Sequence, residues 1–362
     1  MSEEKHFYGG QAVLEGVMMR SKTAYATAVR RLDGSIIVGA RALNTFGQRH
    51  RWARWPFVRG NVALLDSLTL GIESLTFSGN VALEDEAQQR EPDHPLSEEE
   101  KQTHEVAVAE TRTETLGEKA LWLTMIPAMA LGVGLFVILP MLVVNWALGG
   151  TPDQNTELGR TITLNLVEGG LRLLVILGYI SAISLIAYVR RVFEYHGAEH
   201  ATINTFEDTG SVDVDAALEY SPLHPRCGTA FLLVVVVVKI IIGAFLGWHA
   251  PWKLALLRLA MLPPVAGIAY EIISLAGRHR HSWAARILAA PGMLMQKLTT
   301  RQPDREQVEV AIYALAAVAP EVDLPEGFAE PERVAIGRGG EILRETPPAE
   351  PPRDNETVTA DA

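Results

Sequence analysis

The sequence predicts a mainly α-helical, polytopic membrane protein with about four spanning helices and a small cytosolic β-hairpin element. Two observations carry this prediction. Four apolar stretches reach the length of about 20 residues that a helix needs to cross a bilayer, namely residues 121–148, 171–189, 228–248 and 254–276. Near the N-terminus, Asp33-Gly34 separates two stretches rich in β-branched and small apolar residues, which is a strong hairpin signal.

The formal charge of −11 on the 362-residue chain is concentrated in two segments. Residues 84–119 hold 12 acidic and 4 basic side chains, and residues 321–362 hold 11 acidic and 4 basic ones. Such compositions are typical of solvated chain, so we expect a disordered acidic linker and a disordered acidic tail. The remainder is slightly basic, which suits a lipid bilayer as partner. We expect no nucleic-acid partner, because such proteins usually carry a dense basic patch.

These signals divide the chain into five regions. Residues 1–83 form a cytosolic region with a glycine loop, the hairpin and an amphipathic, membrane-associated helix, and residues 84–119 form the linker. Residues 120–290 form the membrane domain, whose loop 190–228 lies at the interface. Residues 291–320 contain a cytosolic helix with a capping box at Asp304 and Gln307, and residues 321–362 form the tail.

The arginines at the ends of the apolar stretches predict the topology. Arg190-Arg191 end the second stretch and Arg278 follows the fourth, so the positive-inside rule places both ends in the cytosol. The protein is then a multi-pass protein of the cell membrane with both termini cytosolic. The loop 149–170, which includes Glu168, is expected on the outer side.

Three charged residues lie within the predicted spans: Lys239, Arg258 and Glu271. Arg258 is near an outer helix end, where its long side chain can reach the interface. Glu271 is about 8 Å below the cytosolic interface, from the rise of 1.5 Å per residue. A carboxylate at such a depth is a candidate functional group, so Glu271 is an additional candidate site residue. The structural alternative is a buried partner for a tyrosine or amide of a neighbouring helix.

The first motif reads YGGQAVLEGVMMR and covers residues 8–20. Its glycines allow tight turns and the close approach of a ligand. It is not a Walker A loop, because no Gly-Lys-Ser/Thr follows. In a functional interpretation, its amides and Arg20 hold an anion or Glu15 reaches a metal ion. In the structural alternative, the segment is a packed turn before a strand.

The second motif is the H-x-x-E-H sequence formed by His196, Glu199 and His200. Residues three and four apart share one face of a helix, so both imidazoles point the same way with the carboxylate beside them. Such a pair can hold a metal ion, and the glutamate can take a proton from metal-bound water. The same spacing marks the inverzincin metallopeptidases. Glu199 is therefore the candidate catalytic residue.

The third motif is the H-x-x-C pair of His224 and Cys227, which precedes the third apolar stretch on the cytosolic side. Cys227 is the only cysteine, so no disulfide forms within the chain. Three imidazoles and a thiol suit tetrahedral zinc, the divalent ion that we expect as cofactor. The structural alternative is that these histidines are ordinary polar residues of a juxtamembrane segment.

With these motifs, the chain resembles the YqhQ-like family (domain of unknown function 1385), bacterial membrane proteins described as predicted metal-dependent enzymes. The matching segments are YGGQAVLEGVMMR, FEYHGAEH, HPRCG, PVAGIAYE and LTT. The resemblance implies a bacterial integral membrane protein, without a known reaction. It also implies a presumed metal site made of His196, Glu199, His200, His224 and Cys227.

Three functions fit these features. The first is a metal-dependent membrane enzyme of the hydrolase type, although inverzincins take their third ligand from a downstream glutamate and this chain offers H-x-x-C. The second is a scaffold or assembly protein whose four ligands close a structural zinc site. The third is an ion or small-molecule transporter, suggested by Lys239, Arg258 and Glu271. The sequence shows no internal repeat, which argues against a transporter.

Overall fold

The computed structural model describes residues 8–43, 45–89, 118–148, 158–224, 227–245, 251–278 and 282–344. The strands are β1 (Gly9–Val13), β2 (Gly16–Arg20), β3 (Ala24–Arg30), β4 (Ile36–Ala42), β5 (Glu332–Ile336) and β6 (Ile342–Leu343). The α-helices are α1 (Phe46–Arg49), α2 (Val58–Gln89), α3 (Glu118–Val133), α4 (Leu139–Ala147), α5 (Leu158–Ile183), α6 (Ala187–Thr209), α7 (Val214–Glu219), α8 (Gly228–Ala244), α9 (Pro251–Ala260), α10 (Leu262–Arg278), α11 (Trp283–Thr299) and α12 (Arg305–Ala316). A 3-10 turn (Arg51–Arg54) precedes α2, and a π-helical turn (Gly134–Ile138) joins α3 to α4.

The six strands form one sheet in the order of their numbers. Neighbouring strands are antiparallel except β4 and β5, which are parallel. One face packs on α6, α7 and α12 and the other on α2, so the strands are buried on both sides. In β2, for example, Val17 and Met19 face the first layer and Met18 faces α2. Burial on both faces explains why these strands are largely apolar rather than alternating.

The predicted hairpin is present as β3 and β4, joined around Gly34 with φ of +87°. It is part of a larger sheet than the sequence indicates. The glycine segment is itself a hairpin of β1 and β2, in which Glu15 takes a left-handed turn conformation with φ of +49°. The expectation of a glycine loop is therefore wrong for residues 9–13 and 16–20, which are strands.

The prediction that the tail is disordered from residue 321 is also wrong, because β5 and β6 complete the sheet. The linker begins later than predicted, since α2 continues to Gln89. Composition suggested solvated charges in both segments, but several of them are paired. Glu84 binds Arg344 at 2.7 Å, and Asp85 binds Arg31 at 2.6 Å. The rest of both acidic segments, residues 90–117 and 345–362, lies outside the described residues.

Arg31 is expected to be important for stability. Its side chain is 7% exposed and that of Asp85 6% exposed, and removing one partner of a buried pair typically costs about 3 kcal/mol or more. We expect Arg31→Met to lower the free energy of unfolding by this amount, measured by denaturant unfolding in detergent. Arg305→Met is the control, because the Arg305–Asp215 pair is exposed. Equal stability of the two variants would contradict the role given to Arg31.

The mainly helical class is confirmed, and three helical stretches are long and apolar enough to cross a membrane: Ile126–Ala147, Gly159–Ile183 and Leu256–Leu275. They correspond to the first, second and fourth predicted spans. The third predicted span contains a shorter apolar helix, Phe231–Ala244, whose predicted continuation 246–248 lies outside the described residues. A fourth span therefore stays a prediction.

The second span differs from its predicted bounds. Its helix, α5, begins at Leu158 rather than at residue 171 and ends at Ile183. A break at residues 184–186 separates α5 from α6, where the sequence predicts a helix that continues to residue 189. Glu168, expected in an outer loop, lies inside α5 and is 1% exposed. The prediction from apolarity alone placed the start of this helix too far along the chain, because the first turns of α5 contain buried polar residues.

The predicted C-terminal helix is confirmed as α12. Asp304 accepts a hydrogen bond from the Gln307 amide at 2.8 Å, and the Gln307 side chain accepts one from the Asp304 amide at 3.0 Å. This reciprocal capping box satisfies two donors at the helix start. Val308, Ile312 and Leu315 are fully buried against the sheet. The helix therefore forms part of the layer that carries the site described next.

Candidate metal centre

Helix α6 carries the H-x-x-E-H motif in its most enclosed part. Residues 195–203 are all buried. The sheet covers this section on one side, and the segment that follows α11 covers it on another, where the Arg301 amide donates to the Phe193 carbonyl at 2.9 Å. The helix ends at Gly210, which adopts the left-handed conformation common after helix ends. The motif is therefore held on a rigid, buried helix.

Three predicted ligands converge on one point. The donor atoms of His196, His200 and Cys227 all lie within 4.8 Å of one another. His196 Nε2 is 3.2 Å from Cys227 Sγ, and the ligands of tetrahedral zinc with bonds of about 2.0 and 2.3 Å lie about 3.5 Å apart. Cys227 is the N-cap residue of α8, and its sulfur accepts from the Thr229 amide. The His196–Cys227 spacing is therefore close to that of two ligands of one tetrahedral ion.

Backbone carbonyls fix the orientation of both imidazoles. His196 Nδ1 lies 2.8 Å from the Thr299 carbonyl oxygen, and His200 Nδ1 lies 2.7 Å from the Pro222 carbonyl oxygen. A carbonyl only accepts, so Nδ1 of each ring carries the proton. Each Nε2 is then a lone pair directed toward Cys227. Metal-ligating histidines almost always donate their second nitrogen in this manner, so the residues present fit a metal ion.

His200 supplies an independent sign of a missing partner. Its Nε2 is buried, yet it has no hydrogen bond, and buried polar atoms without a partner are rare and costly. Burial lowers the pKa of His200, against the opposing effect of nearby Cys227. The imidazole is therefore neutral at ordinary pH and able to coordinate.

Glu199 lies between the two histidines in sequence and faces the glycine segment. It is 4% exposed, and a Cβ on Gly10 would lie 3.1 Å from its Cγ and Cδ. One carboxylate oxygen, Oε2, is buried without a hydrogen bond. Burial raises the pKa of Glu199, while nearby His196 and His224 and the Gly10 amide act in the opposite direction. The carboxylate is thus a desolvated group beside the three ligands and not one of them.

His224 is close to the cluster but is not one of the three converging ligands. Its ring centroid is 5.6 Å from that of His200, and its Nε2 is 3.9 Å from Glu207 Oε2. Its amide and carbonyl both bind the Gln296 side chain, at 2.8 and 2.9 Å. The prediction of His224 as a ligand stays a prediction, and the geometry places it next to the centre.

The other candidate residues lie elsewhere. Both oxygens of Glu15 bind Arg191 Nε, at 2.6 and 2.7 Å, so Glu15 anchors the start of α6 to the β1–β2 turn. Arg20 donates to Ser67 at 3.4 Å. Glu271 binds the Arg59 side chain at 2.5 Å and thereby joins α10 to α2. The structure does not bring these three groups into the metal cluster.

Sequence reasoning missed Gly197, Thr299 and Pro222, which position the ligands. A Cβ on Gly197 would collide with the carbonyl oxygen of Arg301, so only glycine lets the end of α11 approach α6. The carbonyls of Thr299 and Pro222 act through the backbone, and no side-chain pattern identifies such groups. The glycine inside H-G-A-E-H was the one available signal.

Gly197→Ala tests this contact. The added methyl group displaces the segment after α11 and with it the Thr299 carbonyl that orients His196, and loss of such outer partners typically weakens metal affinity by about 10–100-fold. We expect a loss in this range, measured by competition with a chelator of known affinity. Gly79→Ala in α2 is the control, because a Cβ there has no neighbour within 4 Å. Unchanged affinity in Gly197→Ala would refute the positioning role.

Comparison with known proteins agrees with the motifs. Residues 55–321 match the family model described as "Protein of unknown function (DUF1385)". The chain is also 32% identical over 310 residues to "Uncharacterized protein YqhQ" of Bacillus subtilis (strain 168). The matched region covers 84% of this chain and 90% of that protein. No solved structure matches. The protein therefore belongs to the DUF1385 family and is YqhQ-like.

Proposed function

We propose that this protein is a metal-dependent membrane enzyme of the hydrolase type, with zinc as its metal. The observation that carries the proposal is the convergence of two oriented Nε2 lone pairs and one thiol on a point beside a buried carboxylate. Three protein ligands are typical of catalytic zinc, which keeps a fourth position for water or substrate, whereas structural sites usually have four. His196, His200 and Cys227 would hold the ion.

The ion would supply Lewis acidity and lower the pKa of a bound water. Glu199 would take the proton from that water, because it shares the helix with both histidine ligands and has a buried oxygen without a partner. A general base of this type contributes about 10²–10⁴-fold to rate. Gly10 packs against the Glu199 side chain, because a Cβ at Gly10 would lie 3.1 Å from Cγ and Cδ of Glu199. The glycine segment would thus act by orienting the base.

The membrane location is part of the proposal. Cys227 precedes an apolar helix, and α6 follows directly on the apolar helix α5, so the metal centre lies at one end of both. With the arginines after α5 and α10 on the cytosolic side, this end is the cytosolic interface and both termini are cytosolic. A substrate reaching it would be a membrane peptide or a lipid head group.

A structural zinc site in a scaffold is the second candidate, and the position of His224 favours it. Its ring centroid lies 5.6 Å from that of His200, and a rearrangement that brought this ring to the fourth position would close the site. A transporter is a third proposal. It is suggested by three charged residues within the predicted spans, Lys239, Arg258 and Glu271. Glu271, however, is bound to Arg59.

The ligand set can be measured directly. The full chain, purified in mild detergent, is expected to hold one zinc per chain by elemental analysis. X-ray absorption should show one sulfur, two imidazoles and one light atom from water. We expect His200→Ala and Cys227→Ser to lose the metal and His224→Ala to retain it. The exposed residue His50 gives the control His50→Ala. Loss of metal in His224→Ala, with three imidazoles in wild type, would favour the structural site.

Glu199→Gln separates catalysis from metal binding. The amide keeps the shape of the side chain but cannot accept a proton, so we expect full zinc content and a loss of activity of at least about 10²-fold. Activity would be followed as zinc-dependent hydrolysis in a screen of membrane peptides and phospholipids with wild-type protein. Full activity in Glu199→Gln would disprove the base role, and absence of metal from wild type would remove the proposal.

A further inference from the structure

A second polar cluster lies far from the metal centre. It surrounds a partly open cavity of about 30 Å³ between α5, α8 and the α9–α10 pair. Four charged residues line it: Glu168, Arg172, Lys239 and Arg258. We call it the charged cavity. Lys239 follows Cys227 by 12 residues, which corresponds to about 18 Å along the apolar helix α8. The cavity is therefore independent of the three ligands.

The single carboxylate of the cavity is already fully used. Glu168 is 1% exposed, its Oε1 binds Arg172 Nη2 at 2.5 Å and its Oε2 binds Arg258 Nη2 at 2.7 Å. Both guanidinium groups are largely buried, with 12% and 16% of the side chain exposed. The pair of arginines thus shares one negative charge and leaves an excess of one positive charge.

Lys239 is the third basic residue of the cavity. It lines the same cavity, and among the described residues no hydrogen bond or ion pair satisfies its ammonium group. Arginine does not lose its proton in proteins, so the cavity is cationic whichever protonation state Lys239 adopts. Uncompensated charge inside apolar helices is costly, and a bound anion would offset that cost.

The donors that remain suit an oxygen-rich anion. Arg172 is held in place because its Nε donates to the Phe136 carbonyl at 2.9 Å. That carbonyl lies four residues before Pro140, which has no N–H to offer it. Arg172 Nη1 and the further N–H groups of Arg258 have no partner among the described residues, and the Lys239 ammonium adds three donors. Planar guanidinium groups match phosphate oxygens well.

We propose that the charged cavity binds a phosphate-type anion, either the phosphate of a lipid head group or free inorganic phosphate. The volume corresponds to about two water-sized groups, enough for two oxygens of a phosphate whose remaining part stays outside the cavity. Nothing in this site depends on the metal centre or on its proposed reaction.

The test uses the full chain in mild detergent. Inorganic phosphate is titrated at constant ionic strength while the unfolding temperature is recorded, and native mass spectrometry with phosphatidylglycerol measures bound lipid. We expect saturable binding of one of the two probes, and the arm that responds identifies the source. Lys239→Gln should weaken that binding about tenfold, since it removes a basic group that would pair with the bound anion. Lys239→Arg should retain binding, and the exposed Lys297→Gln should behave as wild type.

Two results would overturn the proposal. One is the absence of saturable binding in both arms with wild-type protein, which does not depend on how any variant folds. The other is equal affinity of Lys239→Gln and wild type. Should Lys239→Gln not fold, Lys239→Arg with a tenfold weaker affinity would count against the proposal, because the charge is preserved.

Discussion

The enclosure of α6 is the constraint on which the rest of the structure depends. A helix that presents two imidazoles and a carboxylate to a dry interior must supply each polar group with a partner. The carbonyls of Thr299 and Pro222 satisfy one nitrogen of each ring. With Nδ1 held in this way, the Nε2 atoms of both rings lie within 4.8 Å of Cys227 Sγ. The geometry of the metal centre is thus a result of backbone packing around the helix, and the glycine at position 197 makes that packing possible.

Much of the site could be predicted from the sequence because its information is local. The Asp33-Gly34 turn and the capping box of α12 each depend on residues within a few positions of one another, and both are confirmed. The helical spacing of His196 and His200 likewise brings their ring nitrogens close to Cys227, and metal binding stays a prediction. The prediction of disorder from composition failed where charged residues pair with partners far away in the sequence. Glu84 and Arg344 are 260 residues apart, and no local pattern tells whether such charges meet water or each other.

The same limit explains the candidate residues that lie elsewhere. Glu15 and Glu271 were candidate site residues by residue type, but their partners Arg191 and Arg59 are 176 and 212 residues away. Each pair joins separate elements, which is a structural use of charge. Glu168 shows the reverse: a residue expected in an exposed loop is among the most buried in the described part of the chain. Partner choice is decided by tertiary packing, and spacing rules carry no information about it.

The parallel pairing of β4 with β5 joins residues 37–40 to residues 332–335. Everything between them, including all the apolar helices, is made after β4 and before β5. During synthesis, β4 therefore has an unpaired edge while the helices are made, and unpaired strand edges can pair with the wrong chain. Closing such a long loop is intrinsically slow. The order of translation thus makes the sheet the last unit to be completed, because β5 and β6 are synthesised after every helix that packs on it.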